Sequence, residues 1–268
     1  MTAEYWFLLP VGCTIAVLAM SSGVSAGNFW VPVYLLWARF DGPLAFWMTL
    51  ATMVCGYGSG VVRNLRQGTI HRGFIVQYLP LTIPAAIVGG YLSPFIDVSW
   101  LILLFGVFVF AYGARMLAQS RGLHATPPTA AAGLPWGIGV LGGVLYGLIT
   151  VGLGELMLPR MLADRKLSRP AEAVGSAVLI IFVTSVAAAL VRLNRPFVNA
   201  LVEHRTALLG AIVFAGPGVI LGGQLGPMLA RRLNARALRL YVAILLLLVG
   251  LLMLVRFSLT AGFLTNRA

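Results

Sequence analysis

The residues able to do chemistry in this chain are few, and they sit where polar groups are costly. Glu155 lies inside an apolar segment that ends at Pro159, and a carboxylate in such surroundings usually lines a pathway or relays protons. Thr150, Gly152 and Gly154 stand beside it and add a hydroxyl and bare backbone. A second cluster of the same character, Ser21, Ser22, Ser25, Gly27 and Asn28, interrupts the first apolar run. Hydroxyls, free backbone N–H groups and the positive end of a short helix starting near Asn28 together favour an anion. A protonated Glu155 would travel with that anion and release its proton on the far side, coupling movement to a proton gradient. The competing reading of Glu155 is a capping carboxylate satisfied by amides at a helix start.

These clusters must be positioned by elements that break inside a membrane. No charge occurs from Tyr5 to Ala38, a stretch too long for one crossing of roughly 20 residues and slightly short for two with a turn. Unpaired backbone at such a break is tolerated only where protein or a water-filled cavity satisfies it. The whole composition agrees with a bilayer setting: 60% of 268 residues are hydrophobic and 10% charged. With a mean hydropathy of +0.95, this excludes a soluble globular domain and predicts an all-α polytopic membrane protein.

The net charge of +12 does not indicate nucleic acid, because the basic residues are spread over short loops and not gathered on one face. Their distribution sets topology instead. Cys13 and Cys55 lie in apolar runs and read as small hydrophobes, so no disulfide, metal centre or cofactor is expected. Glu4 near the start, without a basic residue before the first apolar run, argues that the first helix is retained and not cleaved as a signal peptide.

Further apolar runs cover residues 42–62, 73–96 and 98–114, the second of these rich in Pro and Gly and expected to be kinked. Residues 118–134 form a linker with a Pro127-Pro128 pair, dividing a first transmembrane repeat, 1–117, from a second, 135–268. In the second, residues 192–205 read as a polar loop. The division is a duplication. Residues 84–94 read Pro-x-x-x-x-Gly-Gly-x-Leu-x-Pro, and residues 217–227 repeat that spacing without a gap. Gly27 with Pro32 matches Gly154 with Pro159, and Pro43 matches Pro170. Thr49 and Ser176 fall at matching positions and are candidates to line the same cavity, as are Thr52, Ser59, Thr184 and Ser185. Their alternative is a bond to a carbonyl one turn back.

Charge argues the sign of the repeat. If each broken segment crosses once, the 19 Lys and Arg split 10 to 9 across the membrane; if it doubles back as a hairpin or half-helix, the split is 13 to 6 and the halves are inverted. The larger side then faces the cytoplasm, and both termini lie outside. Two inverted repeats, each a broken helix or hairpin plus three transmembrane helices, follow a plan common to secondary transporters.

Gly23-Val24-Ser25-Ala26-Gly27 spells the string of a hydrolase nucleophile elbow, but the strand-to-helix turn that motif needs is not offered here. His71, His124 and His204 all fall in loops, leaving Ser25 without a base, so an enzyme is not expected.

Two copies of a small-residue break followed by a Pro, each trailed by the Pro-x-x-x-x-Gly-Gly-x-Leu-x-Pro helix, resemble the sulfite exporter TauE/SafE family along nearly the whole chain. The characteristic Gly-x-Gly-Gly-Gly run of that family is replaced here by Val24-Ser25-Ala26-Gly27-Asn28 and Val151-Gly152-Leu153-Gly154-Glu155. The resemblance implies a multi-pass transporter of the bacterial inner membrane for sulfite, organosulfonates or related small anions. By motif position it makes Ser25, Gly27, Asn28, Gly152, Gly154 and Glu155 the candidate site. The partners expected are a small anion, protons and the lipid bilayer, with a homo-oligomer left open. A cation or metal permease or channel is the alternative, for which Glu155 would be a ligand; one carboxylate is thin for a divalent ion.

Overall fold

In a computed structural model, which describes residues 3–120, 135–164, 169–230 and 235–265, the chain is all-helical. Among the described residues, six helices are long and apolar enough to cross a membrane: α3 (Gly42–Arg66), α4 (Arg72–Leu92), α5 (Val98–Ser120), α8 (Pro170–Val191), α10 (Arg205–Ala230) and α11 (Ala235–Thr265). Four shorter ones, α1 (Leu8–Ser22), α2 (Gly27–Pro32), α6 (Pro135–Ile149) and α7 (Leu153–Leu162), form the two broken segments.

The breaks have local causes. Helix α1 stops at Gly23, whose φ of 75° is a left-handed cap that returns its amide to the Ala19 carbonyl. Helix α2 then passes through Pro32, which has no N–H to give, into a π-helical turn at Val33–Trp37. In the second half, α6 ends at Thr150 with φ 63° and Gly152 with φ 103° before α7 begins. The first segment doubles back. Tyr5 and Phe40, at its two ends, lie with ring centroids 6.1 Å apart. Val11 and Leu18 of α1 line one apolar groove together with Phe29 and Trp37.

The Pro-x-x-x-x-Gly-Gly motif explains the closest packing. Helix α4 lies on α6 and α10 lies on α1, so each half lends its motif helix to the other half's broken segment. A Cβ added at Gly89 would strike the Val144 carbonyl, and one at Gly222 would strike the Cys13 carbonyl. Small residues of this kind let membrane helices approach backbone to backbone. At the centre, Trp47 of α3 meets Ala189 of α8, Gly58 meets Phe182 and Gly60 meets Val178, so these matching helices run antiparallel. Helices α5 and α11 do the same, with Trp100 near Phe257 and Gly113 near Leu246.

Two sequence expectations need adjustment, and the kink expected of α4 is compatible with its helical course. Residues 192–205 are not simply a loop: Asn194 caps a short helix, α9 (Arg195–Glu203), by accepting from the Phe197 amide, and Pro196 supports its first turn. Helix α4 stays helical through both Pro80 and Pro84, with a 3₁₀ turn taking Pro94. Helix α5 runs on to Ser120, past the expected start of the linker, while residues 121–134 lie outside the described part.

Candidate functional site

The two breaks meet at one carboxylate. Oε1 of Glu155 accepts from the Ser25 amide at 2.8 Å and from Nδ2 of Asn28 at 2.6 Å, and Oε2 accepts from the Gly152 amide at 3.0 Å. All four residues belong to the breaks, and Glu155 itself is 2% exposed. The internal repeat gives the arrangement its meaning. Asn28 and Glu155 are matching positions 127 residues apart, and so are Ser25 and Gly152. Each oxygen of the carboxylate therefore takes an amide from the equivalent place in one half.

Local backbone geometry makes this approach possible. Gly152 holds a φ that a side chain would strain. A Cβ at Gly27 would collide with the Thr150 carbonyl, so glycine is what lets the first break touch the second. Glu155 reaching back to the Gly152 amide is the half of a capping box that a glycine N-cap allows. The capping reading of Glu155 is thus present, but its other oxygen crosses to the opposite half.

Around the carboxylate, buried hydroxyls serve tyrosines. Tyr57 accepts from the Ala26 amide at 3.3 Å and Tyr146 pairs with Ser185 at 2.6 Å; away from the carboxylate, in the π-helical turn, Tyr34 pairs with Thr52 of α3 at 2.6 Å. Such pairs are strong in a low-dielectric interior and fix the walls of the site. Thr184 meets Thr82 at 3.2 Å, joining α8 to α4. Two atoms at the breaks stand out: Asn28 Oδ1 and Thr150 Oγ1 are buried and have no hydrogen-bond partner. That condition is rare and costly for polar atoms, and it leaves an acceptor and a hydroxyl available to a bound group.

The other residues singled out in sequence are placed less centrally. Thr49 donates to Ala45 one turn back, the helix-internal alternative, and Ser176 accepts from the His71 amide between α8 and α4. Ser21 and Ser22 both donate to the Leu18 carbonyl at the end of α1. Ser22 also lines a cavity of about 680 Å³, together with Gly23, Leu158 and Pro159, and with Tyr112, Gln119 and Arg239 from α5 and α11. Tyr112 lies within electrostatic reach of Glu155, Arg115 and Arg239. The sequence reading assigned Arg239 to topology alone. No spacing links it to the breaks, because α11 reaches this cavity only through tertiary packing.

A buried cation secures the end of α6. Nη2 of Arg192 donates to the Gly147 and Leu148 carbonyls at 2.5 and 2.9 Å, and its guanidinium lies 5.9 Å from the Phe46 ring centroid. It caps the carbonyl end of the helix that leads into the second break. Arg192→Met is expected to cost about 2 kcal/mol, the range for a buried hydrogen bond to a charged group. Thermal unfolding in detergent reads this as a lowered midpoint, and Arg192→Lys should recover part of it.

Residues 8–253 match the family described as Sulfite exporter TauE/SafE. A Bacillus subtilis (strain 168) protein described as "Probable membrane transporter protein YunE" is 26% identical over 188 residues, 62% of this chain and 64% of that protein. The match thus spans less than two thirds of that relative's length. No solved structure matches. Since the family match takes in both breaks and every spanning helix from α3 into α11, the chain belongs to the sulfite exporter TauE/SafE family of membrane transporters.

Proposed function

We propose that this protein is a secondary transporter, working as an exporter, of small oxyanions such as sulfite and organosulfonates. The observation that carries the reading is the convergence of equivalent amides from both breaks on a single buried anionic group. Donors already arranged for two anionic oxygens suit an oxyanion better than a cation, whose ligands would have to be the acceptors they hold. The alternative, a cation or metal permease using Glu155, is weaker for that reason. A cavity carrying Arg239 beside the first break gives an anion an approach.

Two inverted halves alternating around the breaks account for the mechanism. The antiparallel course of the counterparts α3 and α8, the like course of α5 and α11, and the return of the first segment to its own start support this parity. With it, 13 of 19 Lys and Arg face the cytoplasm and both termini face the periplasm of a bacterial inner membrane. Protons couple to the anion through Glu155, the one carboxylate at the breaks.

Flux measured in proteoliposomes with sulfite, alkanesulfonates, sulfate and divalent cations tests the reading. Saturable flux of sulfite or sulfonates is expected; divalent-cation flux without oxyanion flux would overturn it. In the same vesicles, Glu155→Gln should abolish the pH dependence of flux, and a pH dependence equal to that of the unaltered protein would sink the coupling.

A further inference from the structure

We infer that the Ser25 and Gly152 amides form a cradle for two oxygens of an oxyanion, and that the Glu155 carboxylate is a tethered surrogate which the substrate displaces. Its bearing on transport rests on the proposed function; the cradle itself rests on geometry. The two amides are matching positions of a duplicated chain, yet they are bridged by a residue that only the second half carries. Symmetric donors satisfied by an asymmetric side chain are what a site for a separate ligand looks like when the protein fills it itself. A carboxylate presents two oxygens to the pair, as one face of a sulfite or sulfonate does.

Two further donors fit the same ligand class. Asn28 Nδ2 is a third donor at the carboxylate, and Thr150 Oγ1, fully buried and without a partner, supplies a donor for the third oxygen that a carboxylate lacks. A displaced Glu155 has somewhere to go. Leu158, one helical turn on from it in α7, lines the 680 Å³ cavity that opens beside Gly23. In this scheme the donors pass from side chain to substrate and are satisfied before and after the exchange, so neither state buries unpaired amides. Glu155 thereby sets specificity, since an anion with fewer than two oxygens to offer cannot replace it.

The test uses the purified full-length protein in detergent, with thermal unfolding followed at constant ionic strength in sulfite, methanesulfonate, formate or chloride. Glu155→Ala empties the cradle, so the three oxyanions should raise its unfolding midpoint saturably. Half-saturation is expected at a concentration at least tenfold below that needed for the unaltered protein, with no effect of chloride. If Glu155→Ala does not fold, Glu155→Gln serves, because its amide cannot accept from both backbone amides and frees one of them. Oxyanion shifts in the foldable variant no larger than in the unaltered protein would overturn the cradle. Proteoliposome flux separates the two claims: flux without such shifts refutes the cradle and leaves the transporter standing, whereas shifts without flux in the unaltered protein refute the transporter and leave the cradle.

Discussion

Gly222→Leu is expected to disrupt the fold more than almost any other single change, lowering stability by about 3 kcal/mol or more, the upper range for overpacking. The reason is that nothing near the new side chain can yield. A Cβ at Gly222 would meet the Cys13 carbonyl and the Ala16 Cβ, so the clash is with the backbone of α1 and not with the tip of a flexible side chain. Relief requires α1 to move away from α10, and α1 carries the first break at its end. Gly89→Leu should behave alike, since its neighbours are the Val144 carbonyl and the backbone of Gly147 and Leu148. Gly216, in the same helix as Gly222, has open space where its Cβ would be, and Gly216→Leu is expected to change stability by no more than about 0.5 kcal/mol. Thermal midpoints by fluorescence-detected size exclusion in a fixed detergent distinguish these cases. If Gly222→Leu and Gly216→Leu shift the midpoint equally, close backbone packing is not what the motif provides.

The motif's spacing was visible in the sequence, and so was its recurrence, but its purpose was not. Pro84 to Pro94 and Pro217 to Pro227 announce a duplication through spacing alone. That each motif helix packs on the other half's broken segment is a tertiary fact that no local pattern encodes. The breaks were legible for a different reason. An uncharged run from Tyr5 to Ala38 violates the length of a bilayer crossing, and length needs no knowledge of neighbours. Glu155 was legible because a carboxylate in an apolar segment is expensive wherever it lies. The residues that wall the site were not. Tyr57 and Tyr146 are ordinary aromatic residues in apolar runs, distinguished only by the Ala26 amide and the Ser185 hydroxyl they reach. Arg192 looked like one more loop cation until its guanidinium proved to be buried against the end of α6.

Asn28→Glu should be severely destabilising, and adding Glu155→Asn should rescue it. The single change sets two carboxylates against each other at a place where Nδ2 and Oε1 now lie 2.6 Å apart, both side chains being almost fully buried. Two carboxylates at such a separation cannot both ionise, and an uncompensated buried charge costs about 3–5 kcal/mol. The double variant exchanges the residues of two matching positions. If the halves are related by a two-fold axis passing between them, the carboxylate moved to the first break takes over the present role of Glu155. It would accept from the side-chain amide moved to the second break and from the same pair of backbone amides at Ser25 and Gly152. Stability should then return to within about 1 kcal/mol of the starting protein, a coupling far larger than two independent sites would show. Thermal midpoints of the four proteins complete the cycle. A double variant as unstable as the sum of its singles would show that the two amides are not interchangeable, and the symmetric view of the cradle would fail with it. Where rescue occurs, the proton coupling proposed for Glu155 should move with the carboxylate into the first half, and flux in proteoliposomes should keep its pH dependence although Glu155 is gone.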